Sequence, residues 1–199
     1  MQKNNKDKNY IIPDGKPVDF LIELGVQDKN GRIFDKKRSK FRQINRFLEL
    51  VSDVEKDIIK GDDLYILDLC CGKSYLSFAI YYYFTKIKGL SVQMDCVDLK
   101  KDVIKYCGGV AEKLGYSGLN FVCGDINDFK IKRAPDLTVS LHACDIATDI
   151  VLAKGIDSES RVIMSTPCCH HEMMGQLKAK GEVTDVLMKY SILKQKFAD

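Results

Sequence analysis

The stretch that decides the fold is "YILDLCCGKSYLSFAIYYYF", residues 65–84. An apolar run ends at Asp68; two cysteines, a glycine and a lysine follow, and a second apolar pattern then begins. The first run has the length of a buried strand, whereas the second repeats at helical spacing. The cysteine pair at Cys70 and Cys71 leaves three interpretations open: a metal site, redox chemistry, or a turn whose backbone cradles a ligand.

The alternation of strand and helix continues along the chain. Strands are predicted at 64–69, 91–99, 119–125, 136–141 and 161–166, and helices over 39–58, 74–87, 101–116, 146–154 and 173–193. This alternation predicts crossover connections and a parallel sheet. We therefore predict an α/β fold with a Rossmann-like, doubly wound, mostly parallel sheet and an N-terminal helical segment.

Residues 1–60 are predicted to form an N-terminal extension, and residues 61–199 the ligand-binding domain. The extension ends in a basic amphipathic helix that begins in "DKKRSKFRQINRF", residues 35–47. Its positive charges can meet phosphates or can form a solvated helix face. We expect this helix to cover the pocket of the second segment.

Composition bounds the class of protein. The 199 residues are 45% hydrophobic and 30% charged, with a net charge of +3, which is typical of a globular domain. No secretory signal and no membrane-spanning run is visible, so a soluble, cytoplasmic protein without membrane contact is expected. For the eight cysteines, this predicts reduced thiols rather than a disulfide framework.

The unusual residues follow the predicted strands. In doubly wound sheets, ligands bind at the carboxyl ends of the strands. An acid after the second strand can accept both hydroxyls of a ribose, and an acid after the third can accept an adenine amine. The candidates at these ends are Asp68, Cys70, Gly72 and Ser74 after the first strand, Asp98 and Leu99 after the second, Asp125 and Ile126 after the third, and Leu141 after the fourth.

Several of these stretches resemble motifs of the class I S-adenosylmethionine (SAM) methyltransferases. "LDLCCGKSYLSF" resembles their glycine-rich first motif, "VDLK" their ribose-binding acid and "CGDI" their adenine-contacting acid. Four ordered stretches, "KFRQINRFLE", "DLCCGKSYLSF", "SLHACDIATD" and "PCCHHE", are similar to a subgroup related to the ribosomal RNA adenine dimethylase domain-containing and methyltransferase-like 25 proteins.

The resemblance implies SAM as the cofactor and methyl transfer as the reaction. It also implies a seven-stranded sheet, whereas five strands are predicted here, so we expect the last two strands to be absent and the chain to be truncated. In the family, the segment after the fourth strand contacts the acceptor, which corresponds to residues 141–145. His142 and Asp145 are therefore the candidate bases that remove a proton from the acceptor, with His170 as a further candidate.

The acceptor is predicted to be RNA, in particular ribosomal RNA, or a protein side chain, with RNA slightly favoured by the basic segment and the resemblance. A degenerate fold that acts as a scaffold without catalysis stays open as the alternative. An NAD-dependent oxidoreductase is disfavoured because no G-x-G-x-x-G is present. No metal site is predicted, because adjacent cysteine and histidine residues lack the spacing of zinc ligands.

Overall fold

The computed structural model describes residues 10–141, 143 and 146–166. The helices are α1 (Asp19–Glu23), α2 (Arg38–Asp53), α3 (Glu55–Ile58), α4 (Tyr75–Tyr82), α5 (Lys101–Leu114) and α6 (Ile146–Asp157). The strands are β1 (Asp63–Leu69), β2 (Ser91–Asp98), β3 (Leu119–Cys123), β4 (Leu137–Ser140) and β5 (Val162–Ser165). The predicted helix at 173–193 and the candidate base His170 lie outside the described residues.

Five strands of the described part form one parallel sheet in the order β3-β2-β1-β4-β5. The order reverses between β1 and β4, because the chain first adds strands on one side of β1 and then on the other. This arrangement confirms the Rossmann-like, doubly wound sheet, and it makes the carboxyl ends of β1 and β4 the topological switch point. The sequence predicts that the last two strands of the family's sheet are absent. The part of the chain after residue 166 lies outside the described residues, so this stays a prediction.

Strand β1 occupies the centre of the sheet because both of its faces are apolar. Leu64 and Ile66 pack into the larger core cluster, whereas Tyr65, Leu67 and Leu69 pack into a second cluster on the other face. Alternate side chains of a strand point to opposite faces, so a continuous apolar run is what a strand covered on both sides requires.

The two faces carry different layers. The larger cluster contains the apolar sides of α1, α2, α4 and α5, and the second cluster includes side chains of α6 and of residues 126–131. The N-terminal segment, from Ile12 to Ile58, contributes to the same core as β1. The predicted extension is thus part of the domain core, although its role as a cover of the pocket stays a prediction.

Two predicted helices differ from the observed ones. The helix predicted at 39–58 divides at Val54 into α2 and α3, and Glu55 then accepts hydrogen bonds from Tyr83 (2.5 Å) and Lys88 (3.0 Å). The helix predicted at 74–87 is α-helical to Tyr82 and π-helical from Tyr83 to Ile87. Among the described residues, no helix combines the length and apolar character needed to span a bilayer.

Candidate functional site

The turn after β1 has an unusual backbone. Cys70, Gly72 and Ser74 have φ angles of 65°, 53° and 54°. Only glycine adopts this left-handed region without strain, so the two non-glycine residues are held there by their surroundings. The amides of Cys70 and Cys71 donate to the carbonyl of Val97, at 2.9 and 3.1 Å, which fixes the turn to the end of β2.

The side chain of Asp98 also holds this turn in place through hydrogen bonds. One carboxylate oxygen accepts the amide of Gly72 at 2.9 Å, and the other accepts the amide of Lys100 at 2.9 Å. The glycine and the acid that the sequence separates by 26 residues are therefore in direct contact. An ionised carboxylate offers about four acceptor positions, so two remain for further donors such as ribose hydroxyls.

Asp68 lies beneath the turn, with only 3% of its surface exposed. Its carboxylate accepts a hydrogen bond from the Ser77 hydroxyl of α4 at 2.5 Å. Burial raises the pKa of Asp68 to about 7; the negative charge of Asp98 adds to this rise, and the Ser77 hydrogen bond opposes it. Asp68 thus supports the turn from below, and its direct contact with a ligand stays a prediction.

The cysteines of the described part carry free thiols. Burial raises the pKa of the Cys70 thiol to about 11, and the nearby carboxylates of Asp98 and Asp68 add to the effect. A reactive cysteine needs a lowered thiol pKa, so the chemistry of Cys70 is that of a small packing residue. Within the described residues, no group of three cysteine, histidine or acidic side chains is arranged to hold a metal ion.

The ends of β2 and β3 add apolar and acidic groups to this edge. Leu99 is 69% exposed directly after Asp98. Asp125 is exposed and accepts from the backbone and side chain of Asn127 through one oxygen, at 2.8 and 2.9 Å. Ile126 is buried in the second core cluster with Leu69. An exposed apolar side chain between two carboxylates suits a flat, polar-edged ring such as adenine.

The end of β4 lies beside the turn. The Ser140 hydroxyl is buried and donates to the carbonyl of Leu69 at 2.9 Å, which ties β4 to β1 at the switch point. Leu141, which follows it, is half-buried against the larger core cluster. The candidate bases His142, Asp145 and His170 lie outside the described residues, so their roles stay predictions.

Residues along the basic helix make different kinds of contact. Asn45 is buried, and its side chain accepts the amide of Ile12 at 2.8 Å, so it has a structural role. Arg46 pairs with Glu49 on the surface at 2.8 Å. At the start of the helix, by contrast, the ammonium groups of Lys37 and Lys40 lie 5.7 and 5.2 Å from the ring centre of Tyr75.

Three contributing residues were not singled out in the sequence. Ser77 holds Asp68, Ser140 joins β4 to β1, and Tyr75 brings the basic helix to the turn. Ser77 and Tyr75 occur inside the quoted motif, but their partners belong to other elements. Only the packing of α4 against β1 and α2 reveals these contacts.

Comparison with known families identifies the class of this domain. A family model described as a methyltransferase domain matches residues 39–176, which is more than half of the chain. The chain belongs to this methyltransferase domain family. The matched region contains the turn, all of the basic helix except its first residue, and all five described strands.

Relatives and solved structures are more distant. The chain is 25% identical over 139 residues to the Glutathione S-transferase C-terminal domain-containing protein of Xenopus laevis, a match that covers 70% of this chain and 21% of the relative. The chain spans about a fifth of the length of the curated relatives it matches.

Two solved structures are similar to part of this chain. Coclaurine N-methyltransferase bound to N-methylheliamine and S-adenosylhomocysteine (SAH) matches with a TM-score of 0.45 at 14% identity, covering 73% of this chain and 41% of that chain. An rRNA methylase from Streptococcus thermophilus matches with a TM-score of 0.45 at 13% identity, covering 58% and 63%. At these scores, the likeness carries no argument about ligand or acceptor.

Proposed function

We propose that this methyltransferase domain binds SAM over the turn at 70–74 and transfers its methyl group to an RNA, in particular ribosomal RNA, or to a protein acceptor, with RNA favoured. The observation that carries the proposal is the locked turn: its left-handed backbone is held by the carboxylate of Asp98 at the topological switch point. Membership in the methyltransferase domain family supports the same assignment. The finer placement in the subgroup named above belongs to this proposal and rests on the four ordered stretches.

The residues at this edge fit such a cofactor. Asp98 keeps two acceptor positions for the ribose hydroxyls, and Leu99 offers an exposed apolar surface to the adenine. One oxygen of Asp125 makes no hydrogen bond within the described residues and can accept the adenine amine. The turn brings the backbone of Gly72, which has no side chain, to the surface where a ligand approaches.

The chemistry divides between the cofactor and the chain. When bound, SAM supplies a methyl group on a sulfonium: the bond to the acceptor forms as the carbon–sulfur bond breaks, and neutral SAH leaves. The chain has to orient the acceptor and to remove its proton. His142 and Asp145 follow β4 at the switch point, and His170 follows β5; these three residues are the proposed bases.

A transfer assay tests the function. The purified chain, given SAM with a tritium-labelled methyl group, is expected to label either total RNA or protein. His142→Ala should lower turnover by roughly a hundred-fold, as loss of a general base does, while SAH affinity stays within a few-fold. Asp149→Ala, which changes an exposed residue of α6, is the control and should retain both properties.

The same assay separates an enzyme from a scaffold. Binding of SAH without label on any RNA or protein fraction would support the alternative proposal, a methyltransferase fold that serves as a binding module. If His142→Ala instead abolished SAH binding, His142 would be a cofactor-binding residue.

A further inference from the structure

A groove of about 290 Å³ opens beside the turn, between the first residues of α4 and α5. Its lining residues are Leu24, Lys73, Tyr75, Asp102, Val103 and Tyr106. Lys73 belongs to the turn itself, and Asp102 and Val103 follow the end of β2 by a few residues. The groove therefore lies at the same edge of the sheet as the proposed cofactor site, but on the outer side of the turn.

Positive charge is concentrated beside this groove, around the ring of Tyr75. Lys37, which precedes α2, and Lys40 of α2 place their ammonium groups over the ring of Tyr75, and Lys73 is two residues before Tyr75 in the chain. Partial burial lowers the pKa of Lys40, and the positive charges of Lys37 and Lys73 lower it further. None of the three forms an ion pair with a carboxylate of the described residues. Such a cluster favours an anionic ligand.

Aromatic surface faces the same groove. Tyr106 is 55% exposed on α5, and Tyr75 is partly exposed on α4. Large exposed rings beside unpaired ammonium groups are the combination that binds a nucleotide chain, since the rings stack on bases and the ammonium groups contact phosphates. Asp102 is the one acidic residue of the lining, and it lies in the first turn of α5, where the helix dipole favours a carboxylate.

We propose that this groove, lined by Lys73, Tyr75 and Tyr106 and flanked by Lys37 and Lys40 over the ring of Tyr75, binds single-stranded RNA. The inference rests on the proposed function, because it identifies RNA as the acceptor that the methyltransferase site receives. A paired helix would keep its bases stacked inside, so the exposed ring of Tyr106 selects unpaired nucleotides.

The position of the groove suits delivery to the reaction site. The carboxyl ends of β2 and β4 are separated by β1, which by ordinary strand spacing is a distance of about 10 Å. An RNA chain that extends from the groove past the turn has about this distance to cover from the end of β2 to the end of β4.

Binding of a fluorescein-labelled, unstructured RNA oligonucleotide to the full 199-residue chain, measured by fluorescence anisotropy, tests the proposal. Lys37→Gln, Lys40→Gln and Lys73→Gln combined should weaken binding at least ten-fold. The slope of log affinity against log salt should fall by about 2, because three phosphate contacts on a single strand are lost.

The matched control is Lys56→Gln, Lys60→Gln and Lys86→Gln combined. These lysines are exposed and precede β1 and β2, at the opposite edge of the sheet, so the net charge changes equally. This variant should bind the oligonucleotide within about two-fold of the unmodified chain. Equal weakening by both variants would overturn the proposal, because it would show attraction by net charge alone.

Tyr106 tests the stacking contribution. Tyr106→Ala should weaken binding about five-fold or more, whereas Tyr106→Phe, which keeps the ring, should bind within about two-fold. An acidic peptide that displaces the RNA at the same charge concentration, together with an unchanged affinity of Tyr106→Ala, would identify a protein-docking surface and overturn the proposal.

Parallel titration of SAH separates this inference from the proposed function. If the unmodified chain binds SAH but fails to bind RNA, the groove proposal fails and the cofactor site stands. If SAH does not bind but RNA binding follows the predicted pattern, the groove stands and the proposed function fails.

Discussion

Two buried aspartates of the central strands differ in their partners. Asp95 of β2 is 1% exposed on the face covered by the second core cluster. It accepts hydrogen bonds from the hydroxyl of Tyr65 at 2.8 Å, the ammonium of Lys132 at 2.9 Å and the side-chain amide of Asn120 at 3.2 Å. Asp68 of β1 is 3% exposed on the opposite face, and its one hydrogen-bond donor among the described residues is Ser77.

This difference distinguishes a structural acid from one that lies beneath the proposed binding site. Asp95 has a cation beside it, so its carboxylate ties the segment after β3 to the sheet. Burial raises the pKa of Asp68 to about 7, and the charge of another carboxylate, Asp98, contributes to the rise. A buried acid without a cation is unfavourable for stability, and such groups occur where a turn is arranged for a ligand rather than for stability.

The largest expected effect comes from removing the structural acid. Asp95→Ala leaves the Tyr65 hydroxyl and Lys132 without their partner and should lower the free energy of unfolding by about 3 kcal/mol. Urea denaturation followed by circular dichroism measures the change. SAH affinity of the folded variant should stay within a few-fold, since Asp95 faces away from the turn.

Two single substitutions measure how much the partners Lys132 and Tyr65 each contribute to the free energy of unfolding. Lys132 is 60% exposed, so Lys132→Gln should cost only about 0.5 kcal/mol. Tyr65→Phe removes one hydrogen bond and should cost about 1 kcal/mol. A variant Asp95→Ala as stable as the unmodified chain would contradict the structural role given to Asp95.

A smaller, pH-dependent effect is expected at Asp68. The raised pKa means that the folded state binds this proton more tightly than the unfolded chain does, where the pKa is about 4. The contribution of Asp68 to stability is therefore full below about pH 4 and is lost as the pH rises towards 7. Relative to Asp68→Asn, the free energy of unfolding of the unmodified chain should fall by about 2 kcal/mol between pH 5 and pH 8, as measured by urea denaturation.

Ser77→Ala sharpens this prediction. The Ser77 hydrogen bond lowers the pKa of Asp68, so its loss should move the pH-dependent change to higher pH. If the stability difference between the unmodified chain and Asp68→Asn were the same at pH 5 and pH 8, Asp68 would not titrate in this range, and the comparison of the two acids would be wrong.

Much of the fold could be predicted because its signals are local. The apolar run at 64–69 and the helical repeat after Ser74 predicted β1 and α4, and the alternation of such units predicted the parallel sheet. The rule that ligands bind at strand ends then directed attention to Asp98 and Gly72, which the structure joins by a hydrogen bond.

The pairings around the two aspartates could not be predicted, because they depend on strand register and helix packing. Asp95 lies opposite Leu67 in the sheet, so Tyr65, two residues away on the same face, comes within reach. A register shifted by one residue would have placed Tyr65 on the other face. The division of the basic helix at Val54 likewise follows from partners of Glu55 that are distant in sequence.

The central claim is that Asp98 and the turn it fastens hold a nucleoside cofactor. Isothermal titration of SAH into the purified chain and into Asp98→Ala tests it most directly. The account predicts binding of micromolar strength to the unmodified chain and more than ten-fold weaker binding to Asp98→Ala, because hydrogen bonds to a charged group are lost. Equal affinity of the two proteins, or no binding to the unmodified chain, would contradict the claim.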